Sequence, residues 1–300
     1  MVAVSQTKRA AERGRTPEDA TPPRLGPLTW RRSARFADNL MGPALLAGPA
    51  NVIMQLARPG VGYGVLESPV QSGRVDKHPY KRARTTFSYL AVAVWGDERQ
   101  KAAYRAAVNR SHVQVRSTES SPVQYSAFSR DLQLWVAACL YRGNVDVYNM
   151  FIGHLDDEAA EKHYRESAVL GTTLQVPLEM WPEDRAAFDE YWNAQLEKVN
   201  IDDAVRDYLY PIATARAAFP KLLRPLLEPI ALLVTTGFLP QRFRDEMQLS
   251  WGPVRQAVFH TLMAGVGLTV RATPRLIREF PFNALLADVD RRIRRGIPLV

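Results

Sequence analysis

One cysteine, Cys139, stands in 300 residues. A lone thiol closes no internal disulfide, so a reducing, cytoplasmic home is the expectation. Cys139 lies in an apolar run, which predicts a buried and inert side chain rather than a nucleophile. Other absences narrow the chemistry. There is no Cys-x-x-Cys, no His-Glu-x-x-His zinc signature and no paired Glu-x-x-His of a helical di-iron protein. No Gly-x-Ser-x-Gly elbow marks a serine hydrolase. With five histidines and one cysteine, a multi-ligand transition-metal site is hard to assemble, whereas a cofactor that asks for one protein ligand is easier. The first thirty residues lack the hydrophobic stretch of a secretory signal. No apolar stretch reaches the roughly 18 to 20 residues of a spanning helix. The nearest, Leu226 to Pro240, is interrupted by Glu228, Pro229, Thr235, Thr236 and Gly237. It reads as a buried helix, with a membrane interface as the alternative.

Acid is also in short supply. Thirty-nine Lys and Arg face 31 Asp and Glu, for a net charge of +8. The excess gathers at the termini, in Lys8, Arg9, Arg13, Arg15 and Arg24 and again in Arg291, Arg292, Arg294 and Arg295. No aromatic-interleaved basic motif accompanies it, so nucleic acid is not expected as a partner. A solvated exterior or a weak association with a membrane surface remains.

What is present is a helical pattern. The hydrophobic share of 46% suits an ordinary globular core. No run of alternating, β-branched residues reads as a strand, and no repeat or long linker divides the chain. The expectation is an all-α, single multi-helix domain over residues 29–300, preceded by a disordered basic arm over 1–28. A first helix should run from about Pro43 to Arg58 and stop at Pro59-Gly60. The following Pro-Gly-Val-Gly-Tyr-Gly fails the dinucleotide and phosphate-loop spacings. It reads as a glycine-rich connection or a place where backbone approaches something closely. Further helices are predicted over about Tyr80–Trp95, Asp97–Arg116 with Asp97 as N-cap, and Asp131–Arg142. The last is apolar almost all round and therefore central. Downstream helices are expected after Asp156 or Asp157 to near Gly171, and over Glu183–Val199, Asp202–Ala218, Leu222–Thr236, Gly252–Val270 and Pro274–Arg295.

Two places on these helices could carry chemistry. Tyr104, Val108, His112 and Val115 fall on one face, which sets His112 among apolar neighbours. It reads as a core histidine or as a metal ligand. Arg82 and Thr86 are four apart and share a face that Leu90 and Ala93 continue into apolar territory. An arginine and a hydroxyl projecting together inward could hold a carboxylate, a propionate or bound oxygen. The alternative is an arginine that meets solvent or a surface acid. Of the other histidines, His78 and His154 sit in loops, His163 reads as exposed on an acidic helix, and His260 is the second-best buried imidazole.

Gln55-Leu56-Ala57-Arg58-Pro59-Gly60-Val61, Arg82-Ala83-Arg84-Thr85-Thr86-Phe87, His112-Val113-Gln114-Val115-Arg116, Tyr125-Ser126-Ala127-Phe128 and Leu134-Trp135-Val136 follow one another in order. So do Arg165-Glu166-Ser167 and Leu239-Pro240-Gln241-Arg242-Phe243-Arg244. The series resembles the haem-dependent oxygenases of the MpaB and latex-clearing (rubber oxygenase) type. The resemblance implies a globin-like helical core around haem b. It implies His112 as the proximal iron ligand, with Arg82 and Thr86 shaping the distal or propionate side and Trp135 packing near the cofactor. Glu67 stands near the place of a glutamate that rubber-cleaving members use as a candidate base. Dioxygen and an apolar, isoprenoid- or lipid-like substrate are the implied reactants. Two positions depart from relatives: Ala137 replaces the histidine of a Trp-Val-His-Ala segment, and Thr85 stands where rubber-cleaving members carry a lysine. The rival expectation is a non-catalytic helical ligand-binding or membrane-peripheral protein.

Overall fold

A computed structural model describes residues 35–70 and 78–300. The basic arm expected over 1–28 lies outside the described residues. Helices and turns make up the described chain; its one β-bridge joins Arg116 to Ser126. The all-α expectation holds.

The helices used below are α1 Gly48–Leu56, α2 Pro59–Leu66, α3 Pro79–Trp95, α4 Glu98–His112, α5 Arg130–Phe151 and α6 Asp157–Glu166. They continue as α7 Arg185–Leu196, α8 Asp203–Ala213, α9 Arg224–Phe238, α10 Gln241–Glu246, α11 Pro253–Ala272 and α12 Phe282–Arg295. Several begin where a short side chain can satisfy free amides. Asp97 accepts from Gln100 N while Gln100 reaches back, a complete capping box for α4. Asp156, Asp184 and Asp202 do the same work for α6, α7 and α8.

Helix α5 is the axis. Trp135, Ala138, Cys139 and Phe151 on it are fully buried, and α1, α11 and the one-turn helix Val169–Thr172 pack against it. The Trp135 ring stacks on Trp192 at 5.1 Å and on Phe243 at 6.4 Å. Its indole nitrogen donates to the Gln55 carbonyl at 3.1 Å. Burial pushes the Cys139 thiol up, as the apolar run around it predicts.

The first helix does end before Pro59-Gly60, at Leu56, but a second helix begins there at once. Pro59 opens α2, where its missing N–H costs nothing and its fixed φ suits a first turn. The glycines that follow are helical contact points. A Cβ on Gly62 would lie 2.6 Å from the Leu56 carbonyl oxygen, and one on Gly60 would lie 2.9 Å from Leu132 Cδ1. Close approach, one of the two sequence expectations for this stretch, is therefore what it provides. Helix α4 ends at His112, four residues short of expectation. Beyond it the chain turns back, with Ala127 N donating to Val115 O and Ser117 N to Tyr125 O, both at 2.9 Å.

The helix expected over Pro274–Arg295 is divided at Phe280-Pro281 into a short turn, Arg275–Arg278, and α12. Helix α12 packs along α3 and also touches α4. Val289 on α12 is buried with Val92 and Tyr104 in a second apolar cluster, separate from that around α5. Asp288 bridges this contact, bonding Arg292 at 2.6 Å and lying 4.0 Å from Arg84.

Candidate functional site

Arg82 and Thr86 lie one turn apart in the first half of α3, and His112 is the last residue of α4. The two helices are packed together. Tyr104 fastens them: its hydroxyl donates to the Thr85 carbonyl at 2.6 Å, and its ring is 1% exposed. Tyr89 and Arg105 add ties to the Val169–Thr172 turn, through Leu170 O at 2.6 Å and Thr173 O at 2.8 Å. The segment that bears Arg82 is therefore held from two sides.

His112 is half-buried, and its Nδ1 is enclosed without a hydrogen-bond partner. The returning loop sets Phe128 edge-on to the imidazole, with ring centroids 6.2 Å apart and planes at 84°. Burial, and after it the charge of Arg82, pull the His112 pKa from 6.5 down to about 4. The ring is neutral at pH 7 with a lone pair available. A buried polar atom without a partner carries a desolvation cost that a ligand or metal can relieve.

Arg82 is exposed. Desolvation lowers its pKa, opposed by the phenols of Tyr208 and Tyr104. Among the described residues no carboxylate pairs with it. Thr86 is half-buried on the same face. Thr85, in the place of the relatives' lysine, turns its hydroxyl onto the Arg82 carbonyl at 2.9 Å.

The structure thus places the Arg82 charge near enough to His112 to act on its imidazole. It does not bring Trp135 to them. That ring has no exposed surface, and Trp192 and Phe243 stack on it. Glu67 closes the C-terminus of α2. Its carboxylate accepts from Ser121 Oγ at 2.6 Å and from Tyr125 Oη at 2.7 Å. No described contact joins it to Arg82 or His112. Burial and the Glu67 carboxylate raise the Tyr125 pKa to about 12.

Two expectations are corrected. His163 is not exposed; it is 2% accessible, with its ring nitrogens 2.9 Å from Asn39 Nδ2 and 2.9 Å from Asn144 Oδ1. Its partners come from distant segments, so the acidic residues beside it in sequence mislead. Both nitrogens are engaged, which leaves it no free lone pair for a metal. His260 is half-buried and close to Gln256 Nε2 at 2.7 Å. Sequence reasoning missed Tyr208, which sits near Arg82 from α8. Its position beside Leu209 and Ile212 offers no cue beyond an ordinary apolar helix face.

The motif residues around this site have visible work. Arg58 ion-pairs with Asp131 at 3.0 Å, joining the α1–α2 corner to the start of α5. Glu166 accepts from Phe36 N at 2.7 Å. Arg244 donates to Thr236 O at 3.0 Å and lies 4.7 Å from the Trp251 ring centre. It caps the carbonyl end of α9.

The family described as "ER-bound oxygenase mpaB/B'/Rubber oxygenase, catalytic domain" matches residues 35–268. The chain belongs to this family. It is thus a member of a family of oxygenase catalytic domains, whose reaction takes dioxygen and a small-molecule substrate. The uncharacterized protein Rv2237 of Mycobacterium tuberculosis is 51% identical over 256 residues, covering 85% of this chain and 100% of that protein. The uncharacterized protein Mb2261 of Mycobacterium bovis matches to the same extent. No solved structure matches the chain. Among the described residues, no helix is long and apolar enough to cross a membrane.

Proposed function

We propose that this protein is a haem b oxygenase in which His112 is the iron ligand and Arg82 and Thr86 line the cofactor pocket. The reading rests on one observation above all. A neutral imidazole with an enclosed, unpartnered nitrogen lies beside an arginine from the neighbouring helix. That pair fits a haem: the imidazole would offer its lone pair to the iron, and the guanidinium would offer donors to a propionate. Among the described residues no group of three or more His, Cys, Asp or Glu converges. A cofactor that asks one ligand of the protein is in keeping with that.

Haem, when bound through a single protein ligand, supplies an iron position at which dioxygen is activated. The chain's own part is to hold and shield. His112 stays unprotonated at neutral pH because burial and Arg82 oppose its charge. Phe128 fixes the ring's orientation from the edge. Thr86 adds a hydroxyl one helical turn beyond Arg82. Glu67, oriented by Ser121 and Tyr125, is the candidate base, and Trp135 supports the wall from behind as part of a globin-like core. The substrate class is apolar, isoprenoid- or lipid-like, and the working compartment is the cytoplasm.

The absorption spectrum of the purified chain after haem supplementation tests the assignment. A Soret band that shifts or disappears in His112→Ala is the expected result. A colourless protein, or a band identical in that variant, overturns it and leaves a non-catalytic ligand-binding module as the better account.

A further inference from the structure

Large apolar side chains are exposed in one region above all. Of the eighteen such residues among those described, eleven fall between 222 and 280. They form ridges at helical spacing. Leu222, in the turn before α9, is followed by Leu226 and Ile230 at steps of four, with 90%, 67% and 47% of their surfaces accessible. Val254, Val258 and Leu262 repeat the step on α11. The two helices pack on each other, so the ridges belong to neighbouring elements. Leu276, Ile277 and Phe280 continue the exposure after α11. A soluble surface scatters such residues singly; gathered together, they mark a contact surface.

The charges around the ridges indicate the partner. Helix α11 contains no acid; it carries Arg255 near its start and Arg271 near its end. Arg255 is exposed and, among the described residues, hydrogen-bonded only to Ser250, through its carbonyl and its hydroxyl, with no acid beside it there. The one acid of α9, Glu228, is already engaged by Arg216 at 3.1 Å. Over residues 219–280 the chain carries eight Lys and Arg against four acids. Pairing this face with a second copy would set cations against cations. A bilayer containing anionic lipid offers the opposite: apolar depth for the ridges and negative headgroups for the arginines.

We propose that the outer faces of α9 and α11, with residues 276–280, dock this protein on an anionic lipid surface without crossing it. The surface is separate from the haem assignment, and its test needs neither cofactor nor turnover. The full chain is sedimented with vesicles of phosphatidylcholine alone and of phosphatidylcholine mixed with phosphatidylglycerol. The expected result is pelleting with the mixed vesicles, at least about tenfold stronger than with phosphatidylcholine and weakened by salt. The double variant Leu226→Asp, Leu262→Asp should lose at least about tenfold in vesicle affinity while keeping its helical circular dichroism. Should that variant not fold, Leu222→Ser with Val254→Ser removes two residues that are 90% and 77% exposed, and the same loss is expected. Wild-type protein that stays in the supernatant with both vesicles overturns the proposal. So does a folded variant that pellets as well as wild type, which would assign binding to the basic arm. A concentration-dependent dimer that these variants dissolve, without vesicle binding, would make the face a contact between copies and equally overturn it.

Discussion

Two opposing influences meet at His112. In the last turn of a helix, the carbonyl end of the dipole favours a protonated imidazole by about 0.3 to 1 kcal/mol, and by about 2 where partly buried. The fall of its pKa from 6.5 to about 4 corresponds to about 3 kcal/mol in the other direction. Burial and the Arg82 charge therefore outweigh the dipole. Arg82→Ala removes the smaller of those two influences, and the imidazole titration followed by NMR should move back toward 6.5. A titration unchanged in that variant would separate the two side chains. His163 obeys the same linkage for a purely structural end. Burial lowers its pKa to about 4, against about 6.5 in an unfolded chain. Above pH 6.5 both states hold it neutral and its full contribution is present. As pH falls from 6.5 toward 4 the unfolded state binds the proton first, so stability is lost across that window, by up to about 3 kcal/mol from this one group. Thermal melting at pH 7 and pH 4.5 should show the drop, and His163→Gln should reduce it, leaving the part that His112 contributes by the same linkage.

Among the elements, glycine contacts separate essential positions from idle ones. Gly62→Ala drives a methyl to 2.6 Å from the Leu56 carbonyl oxygen. Backbone cannot swing aside as a side chain can, so a loss of about 1 to 3 kcal/mol is expected, read as a lower denaturation midpoint. Gly265, inside α11, has open space where a Cβ would stand. Gly265→Ala should stabilise by about 0.5 to 1 kcal/mol by the same measurement. These positions also mark what the sequence made legible. Caps act locally, so Asp97 was readable and Asp156 was one of two candidates for its helix, and so was the burial of the helix around Trp135. The α1–α2 corner was not, because Pro59 both ends one helix and begins the next, and only the contacts of Gly60 and Gly62 decide between a stop and a start. The end of α4 depended on the bridge from Arg116 to Ser126, a pairing set by the returning loop. The nearness of Arg82 to His112 could be expected only through family resemblance. Tyr208 approaches from a helix some ninety residues further on, where neither spacing nor resemblance pointed.

Across the whole molecule, the site-bearing helices are braced by a part of the chain outside the matched family segment. Helix α12 begins at Phe282, whereas the family match ends at 268, yet it packs on both α3 and α4. Val289 is 1% exposed against Val92 and Tyr104. Val289→Asp places an unpaired carboxylate in that contact, and a loss of roughly 2 to 5 kcal/mol is expected. Hydrogen exchange should rise first in α3 and α4. Protection that falls uniformly over the protein would show that α12 is not a local brace. The same variant should weaken haem uptake without touching Arg82 or His112, which distinguishes support of a pocket from participation in it.

The solitary thiol on the central helix has a practical consequence. Cys139 is fully enclosed and its ionisation suppressed, so a thiol-specific reagent meets no target on the native surface. Its labelling kinetics act as a clock for opening of the interior. A cysteine introduced on any outer helix can then be tagged with a dye without background, and the slow second labelling event records how often the molecule breathes.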